Sequence, residues 1–272
     1  MKKLAIATSK IKLPASDQAL ADALTGQGFD IRPVIWSDTQ QDWRQFDAVI
    51  VRSCWDYHLR LQEFLNWIAL LEQNGIVVWN PPDLIRWNAS KVYLAELASS
   101  GIAIPDTIFV EPGVTLDLAD VCATRGWQSA VVKPITSASA YGTERRASGV
   151  VYEGSMVQEY IAAIETEGEW SLVYFDGRFS HAVIKKPCAN DFRVQTDFGG
   201  TVRVAQPSQE LLVFSETVLH RLPGPALYAR VDLVAEDASI LLMELEVIEP
   251  ELFLDLAPGS SIRFASAISD LK

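Results

Sequence analysis

The chain has 272 residues, 49% of them hydrophobic, and a formal net charge of −12. That is length enough for one large domain or two to three small lobes with a real core. The acidic balance, with no Lys/Arg run longer than two residues, argues against nucleic acid or anionic membrane as a general partner. Three widely spaced cysteines, Cys54, Cys122 and Cys188, offer neither zinc spacing nor a disulfide framework and point to a reducing cytoplasm. The apolar stretch after Met1-Lys2-Lys3 is too short for a signal peptide. No apolar run approaches about 20 residues, so no membrane span is expected.

Leu4–Ala7 reads as a short buried strand and Ser16–Leu24 as a helix with Leu20, Ala23 and Leu24 on one face. Ile31–Trp36 and Ala48–Val51 read as strands. Leu61, Phe64, Leu65, Ile68 and Leu71 form a helical stripe that stops at Asn74-Gly75, and Ile76–Trp79 follows as a fourth strand. This alternation predicts an open α/β lobe, residues 1–87, with a mainly parallel sheet. Such sheets bind ligands beyond their strand C-ends, where Arg52-Ser53-Cys54-Trp55-Asp56-Tyr57-His58 lies. Arg52 is suited to a substrate carboxylate and Asp56 to an amine. A plain turn with a helix cap at Asp56 is the other reading.

Asn80-Pro81-Pro82 marks the first lobe boundary. A helix is expected over about Ala89–Ser99, capped by Asn88 or Ser90, with Lys91 in its first turn. That is the wrong end for a cation, so Lys91 is expected to serve an anion. Ile102–Phe109 is extended. Ser129–Val132 is a strand ending in Lys133-Pro134, followed by a small, hydroxyl-rich loop, Ile135–Thr143, that includes Ser137 and Ser139. Such a loop can wrap phosphate with backbone N–H groups, and Lys133 supplies charge. Common linkers have the same composition. Neither a Walker loop nor G-x-G-x-x-G occurs.

Val151–Tyr160 reads as extended. Trp170–Phe175 and Arg178–Lys186 are strands joined by Asp176-Gly177, a strong hairpin signal. On the second, Phe179, His181, Val183 and Lys185 are expected to share a face, with His181 structural. A turn follows at Phe198-Gly199-Gly200, a helix over Glu210–Leu222, and a final helix over Ser260–Leu271. Between these helices, strands over 226–234 and 240–248 flank the turn Glu236-Asp237-Ala238-Ser239. Folding about Ala238 sets Asp232 opposite Glu244, with Glu246 on the same face. Three carboxylates then lie within about 5–8 Å of one another. Two like charges about 5 Å apart repel by about 3 kcal/mol at an effective dielectric of 20. Apolar neighbours half-bury this strand, so either a divalent cation holds the cluster together or it is an ordinary acidic hairpin face.

One reading joins these segments. Lys91 and Lys133 reach phosphates and the 135–143 loop closes over them. Gln158, Glu159, Tyr160 and Ile161 give an edge for adenine, and Glu165 or Glu167 takes ribose hydroxyls. Lys185 and Arg193 meet the terminal phosphate or an acyl-phosphate, and Asp232, Glu244 and Glu246 hold Mg²⁺. Lys185-Lys186-Pro187, Arg193, Gly199-Gly200, Asp232 and Glu244-x-Glu246-x-x-x-Pro250, in this order and spacing, resemble the ATP-grasp superfamily, nearest its glutathione-synthetase-like branch, over roughly residues 88–258. Arg52–His58, Trp87-Asn88-Ala89-Ser90-Lys91 and Glu249-Pro250-Glu251-Leu252-Phe253 look like the cycloserine-forming O-ureido-serine cyclo-ligase type. Two features depart from the superfamily pattern: its phosphate loop is often Gly-rich, whereas only Gly142 remains here, and its usual Glu-x-Asn metal pair is Glu244-x-Glu246.

The resemblance implies an ATP-grasp fold of α/β (α+β) class: an N-terminal open α/β substrate lobe (1–87) and two α+β lobes (88–156 and 157–272) clasping ATP. It implies ATP with Mg²⁺, Mn²⁺ being an alternative, and an ADP-forming ligase that joins a carboxylate to a nitrogen through an acyl-phosphate. A nitrogen on the same molecule would give a ring. Lys185 and Arg193 would be catalytic. Arg52, Asp56, Tyr57, Arg193, Glu249 and Glu251 would line a site for a small amino-acid-like zwitterion. A homo-oligomer is one option for this branch. Two other functions stay open: a Mg·ATP-binding regulatory module without chemistry, and a phosphotransferase of the same fold.

Overall fold

A computed structural model describes residues 1–188, 191–194, 199–236 and 239–270. The N-terminal part runs β1 (Lys3–Thr8), α1 (Ala15–Gly26), β2 (Asp30–Ile35), β3 (Ala48–Val51), α2 (Leu61–Gln73) and β4 (Val77–Trp79). Its four strands are parallel in the order β2-β1-β3-β4, as the alternation predicts. One sheet face packs Val49, Val51 and Trp36 against Phe64, Trp67, Ile68 and Leu71 of α2. The other packs Leu4, Ile6 and Ile50 against Leu20 and Leu24 of α1.

The next segment differs from expectation. The predicted helix over 89–99 is two short ones, α3 (Pro82–Asn88) and α4 (Tyr93–Ser99). The Pro81-Pro82 pair starts α3, with Pro82 in the first turn where its missing N–H costs nothing. Asn88 is therefore no N-cap, and Lys91 sits in the turn between the helices, its N–H donated to Ile135 O at 2.7 Å. Then come β5 (Thr107–Phe109), β6 (Thr115–Asp117), α5 (Leu118–Arg125), β7 (Ala130–Pro134), β8 (Glu144–Arg146), β9 (Val150–Tyr152) and β10 (Ser155–Glu159). Strands β5-β10-β7-β8 form one antiparallel sheet, and β6 pairs with β9. The single extended segment expected over 151–160 is thus two strands in two sheets.

The last part holds α6 (Ala163–Thr166), β11 (Glu169–Phe175), β12 (Arg178–Lys186), β13 (Thr201–Ala205), α7 (Gln209–Leu219), β14 (Tyr228–Glu236), β15 (Ser239–Glu246) and α8 (Ser260–Asp270). The five-stranded antiparallel sheet has the order β13-β12-β11-β14-β15. The β11–β12 turn has Asp176 at φ 48° and Gly177 at φ 69°, as a two-residue hairpin loop demands. Val173 pairs with His181 but Tyr174 with Phe179, so Ser180 is an extra residue in β12. That bulge corrects the expected face: Phe179 packs with Tyr174 against the helix side, while His181 and Lys185 look the other way. His181 is structural, bonded to Leu252 O at 2.8 Å. Helix α8 returns to the N-terminal part, its Phe264 and Ile268 joining the core of β1 and α1. Asp237 and Ala238 of the predicted turn, Phe198 of the other and Leu271 of the last helix lie outside the described residues. Among the described residues, no helix is long and apolar enough to cross a membrane.

Candidate active site

The carboxylates are set by two neighbouring strands. Asp232 of β14 pairs with Glu244 of β15, and Arg230 with Glu246. The pairing is the expected one but arises differently. Near the turn Glu236 pairs with Ser239 and Leu233 with Leu242, one residue off a fold about Ala238. Met243 is then an extra residue, and this bulge restores Asp232 to Glu244. It also lets Met243 and Glu244 both face one cleft.

Strand β15 is a sheet edge, yet its outer backbone groups are taken. Leu245 N–H donates to Tyr93 Oη at 3.0 Å and Val247 N–H to Asn88 Oδ1 at 3.0 Å. Asn88 Nδ2 donates to Leu245 O, and Asn80 Nδ2 to Val247 O and Tyr228 O. These buried amides fix the strand that carries the two glutamates.

One ligand oxygen from each of Asp232, Glu244 and Glu246 lies within 4.8 Å of the others. Three cations interleave them. Arg230 bonds Asp232 at 2.8 Å and Glu246 at 2.6 Å. Lys185 bonds Glu169 at 2.5 Å and Asp232 at 3.3 Å. Lys91 ion-pairs with Glu244. Ser171 Oγ donates to Asp232 at 2.5 Å. Burial would raise the Asp232 carboxyl, but Arg230 and Lys185 together pull it down to about 2. Glu246 has less help: burial, with Glu244 and Asp232 adding repulsion against Arg230, lifts it to about 7. Lys133 makes no ion pair among the described residues. Its Nζ donates to Gln158 Oε1 at 3.3 Å, and burial lowers its ammonium to about 8.

These groups floor a cleft of about 350 Å³. One end is apolar, formed by Val131, Tyr160, Ile161 and Met243 at the C-terminal end of β10. The other end is walled by Trp55 and Tyr57 from the N-terminal part and by Ile248, Glu249, Glu251 and Phe253 beyond β15. The 135–143 loop covers the middle. Ser139 and Ala140 take φ of 50° and 56°, strain that side chains accept only where the surroundings impose it. Ala138 of this loop packs on the N-terminal core, and the Tyr141 ring lies 5.1 Å from that of His58.

An apolar slot, convergent lysines and a carboxylate triad match a nucleotide-triphosphate site with a divalent ion. The comparisons with known proteins agree. A family model for the N-terminal domain of the D-cycloserine synthetase DcsG matches residues 4–80. The cycloserine biosynthesis protein DcsG of Streptomyces lavendulae is 29% identical over 98% of both chains. A crystal structure of D-cycloserine synthetase DcsG superposes with a TM-score of 0.85 at 27% identity, covering 99% of each chain. The ATP-grasp ligase PsnB, complexed with a precursor variant, Mg and ADP, superposes at 0.64 and 15% identity over 99% of this chain and 98% of the other. The chain has the ATP-grasp fold.

Most residues singled out in the sequence line the ATP-grasp cleft. Lys91, Lys133, Ser137 and Ser139 do so from the middle part and loop, and Gln158, Glu159, Tyr160 and Ile161 at the end of β10 and just beyond it. Lys185, Arg193, Asp232, Glu244, Glu246, Tyr57 and Glu249 complete it. Arg193 is bonded to Asp191 at 2.6 Å.

Three assignments are corrected. Arg52 is buried away from the cleft, paired with Asp17 at 2.9 Å and donating to Pro250 O, so it is not available to a substrate carboxylate. Asp56 accepts from Trp36 Nε1 at 2.8 Å and does not line the cleft. Glu167 is exposed outside it, and its alternative Glu165 is engaged by Arg145 and the Tyr160 hydroxyl.

Sequence reasoning gave no role to Arg230 or Glu169. The first carried a signal, a cation on Asp232's own strand face. The second faces Lys185 only because of the Ser180 bulge.

Proposed function

We propose that this chain is an ATP-dependent, ADP-forming ligase that joins a carboxylate to a nitrogen on a small amino-acid-like substrate. The observation that carries this is the composition of the cleft floor. Each buried lysine or arginine there, Lys133 excepted, holds a carboxylate that a metal ion could take instead. Each could then turn to a phosphate. Burial keeps such pairs mutually dependent, so metal and nucleotide would bind together and exchange their partners.

Asp232, Glu244 and Glu246 would hold Mg²⁺ or Mn²⁺. Their all-oxygen set and close spacing fit a hard divalent ion. The ion would neutralise charge on the nucleotide phosphates. Lys91, Lys133 and Lys185 would hold those phosphates, and the end of β10 with Tyr160 and Ile161 the base. Glu169, which lines the cleft where Glu165 and Glu167 do not, would take the ribose hydroxyls in their stead.

In the first step a substrate carboxylate oxygen attacks the γ-phosphorus, the bond to ADP breaks and an acyl-phosphate forms. In the second, a nitrogen lone pair attacks the acyl carbon. The C–N bond forms, the C–O bond to phosphate breaks and the nitrogen gives up a proton. Lys185, Arg230 and Arg193 are the cations within reach of the charge that moves. The 135–143 loop keeps water from the acyl-phosphate. The likeness to D-cycloserine synthetase over nearly the whole chain supports a nitrogen on the same molecule, and so a ring product.

The test is ³¹P NMR of the purified protein with Mg·ATP and a panel of small amino acids, O-ureido-serine of both hands included. The reading predicts ADP and free phosphate that depend on one panel member. AMP with pyrophosphate, or a stable phosphorylated product, would contradict it.

A further inference from the structure

The far wall of the cleft carries a charged group that the two steps above do not use. Glu249 is 7% exposed and lines the cleft. Its carboxyl has no hydrogen bond and no ion pair among the described residues. The neighbours explain why. Arg230 is committed to Asp232 and Glu246, and Arg52 to Asp17 and Pro250 O. Glu251, two residues on, accepts from Phe253 N–H at 2.8 Å. Trp55 Nε1 donates to the backbone carbonyl of Glu249 at 3.3 Å, which fixes the main chain and leaves the side chain free to serve the cleft. Tyr57 stands on the same wall, and its hydroxyl also has no hydrogen-bond partner among the described residues.

A carboxylate largely withdrawn from water and without an ion pair is costly, and the Glu249 oxygens are not among the fully enclosed unpaired atoms, so a group in the cleft can reach them. Burial first, then the Glu246 charge, outweigh the help of Arg230 and Arg52 and hold the Glu249 carboxyl well above the usual range. A cation arriving from the cleft would remove the cost. A metal ion would be held elsewhere, since among the described residues the cluster of mutually close ligand oxygens is Asp232, Glu244 and Glu246. The wall around Glu249 is aromatic, with Trp55 and Tyr57, a surface that suits an organic cation.

We infer that Glu249, flanked by Trp55 and Tyr57, is the subsite that receives the ammonium group of the amino-acid substrate. This rests on the ligase reading and adds to it. The reacting carboxylate lies toward Arg230 and the phosphates, the ammonium toward Glu249, and the substrate is held by both ends of its zwitterion. Glu249 is then a specificity residue: it selects amino acids over the corresponding acids without the amine.

The experiment measures equilibrium binding by calorimetry with Mg·ADP present, on wild type and Glu249→Gln. The probes are alanine, serine and O-ureido-serine of both hands, each beside its desamino counterpart. Mg·ADP binding to Glu249→Gln serves as the check that the variant is folded. We expect at least one amino acid to bind wild type and to lose about 30-fold or more in the variant. Its desamino counterpart should bind wild type more weakly by a similar factor and bind the two proteins alike. The inference is overturned if amino and desamino members bind wild type equally, if the substitution weakens both to the same extent, or if no amino acid binds. Turnover measured on the same panel separates the two readings. Selective, Glu249-dependent binding without ADP release would leave the subsite standing and remove the ligase.

Discussion

Two groups of buried charge differ in what surrounds them. In the N-terminal part Arg52 and Asp17 are both about 2% exposed at the side chain and meet at 2.9 Å. The guanidinium also donates to Pro250 O and lies 5.3 Å from the centre of the Tyr228 ring. That pair is buried, with Arg52 Nη1 and Asp17 Oδ2 left without a hydrogen-bond partner, and it ties the N-terminal part to the segment after β15. In the cleft, Lys91, Lys133, Lys185 and Arg230 face Glu169, Asp232, Glu244, Glu246 and Glu249, and all of them line open space. Carboxylates of one chemical type end up near 2 at Asp232 and near 7 at Glu246. A closed pair fixes conformation. An open network with unequal partners can change partners when a ligand arrives.

Substitutions can break this contrast. The largest effect is expected at Glu244→Gln. ATP turnover should fall at least about 1,000-fold, the range for losing a charge-stabilising group, while the far-ultraviolet circular dichroism spectrum stays that of wild type. Turnover within tenfold of wild type would remove the metal assignment.

Arg52→Met should do the reverse. It leaves Asp17 buried without a partner and should lower unfolding free energy by about 3 kcal/mol in urea melts, with the KM of the surviving folded protein for its amino acid unchanged. A raised KM at unchanged stability would return Arg52 to the substrate site.

The smallest effect concerns pH. Burial lowers the Lys133 ammonium to about 8, and the phosphate role proposed for it needs the charge. As pH rises through 8 the charge is lost, so the Kd for a non-hydrolysable Mg·ATP analogue should weaken about tenfold between pH 7 and pH 9. Lys133→Arg stays charged and should flatten that profile. An equal slope in both proteins would show that another group is responsible.

The same contrast explains what was legible in the sequence. Apolar periodicity was enough for the parallel sheet, its two helices and the β14–β15 pair, since those patterns encode burial directly. Helix α5 was missed because only Leu118 and Cys122 of it are buried, too few to make a stripe. Helix α3 was missed because Pro81-Pro82 read as a break and not as a helix start. The cleft's lysines and carboxylates were found because their order along the chain resembles a known superfamily. Arg52 was misplaced because its direction depends on Asp17, 35 residues earlier, and no local signal links them. The two bulges, at Ser180 and Met243, were invisible to alternation. They decide that Glu169 faces Lys185 and that Asp232 faces Glu244.

The most direct test of the account follows the carboxylate oxygen. The amino acid that drives ADP release is labelled with ¹⁸O in its carboxyl group, and the released phosphate is read by its isotope shift in ³¹P NMR. Transfer through an acyl-phosphate predicts one ¹⁸O atom in each phosphate. Phosphate free of label would mean that water attacks ATP directly, and the ligase account would fall.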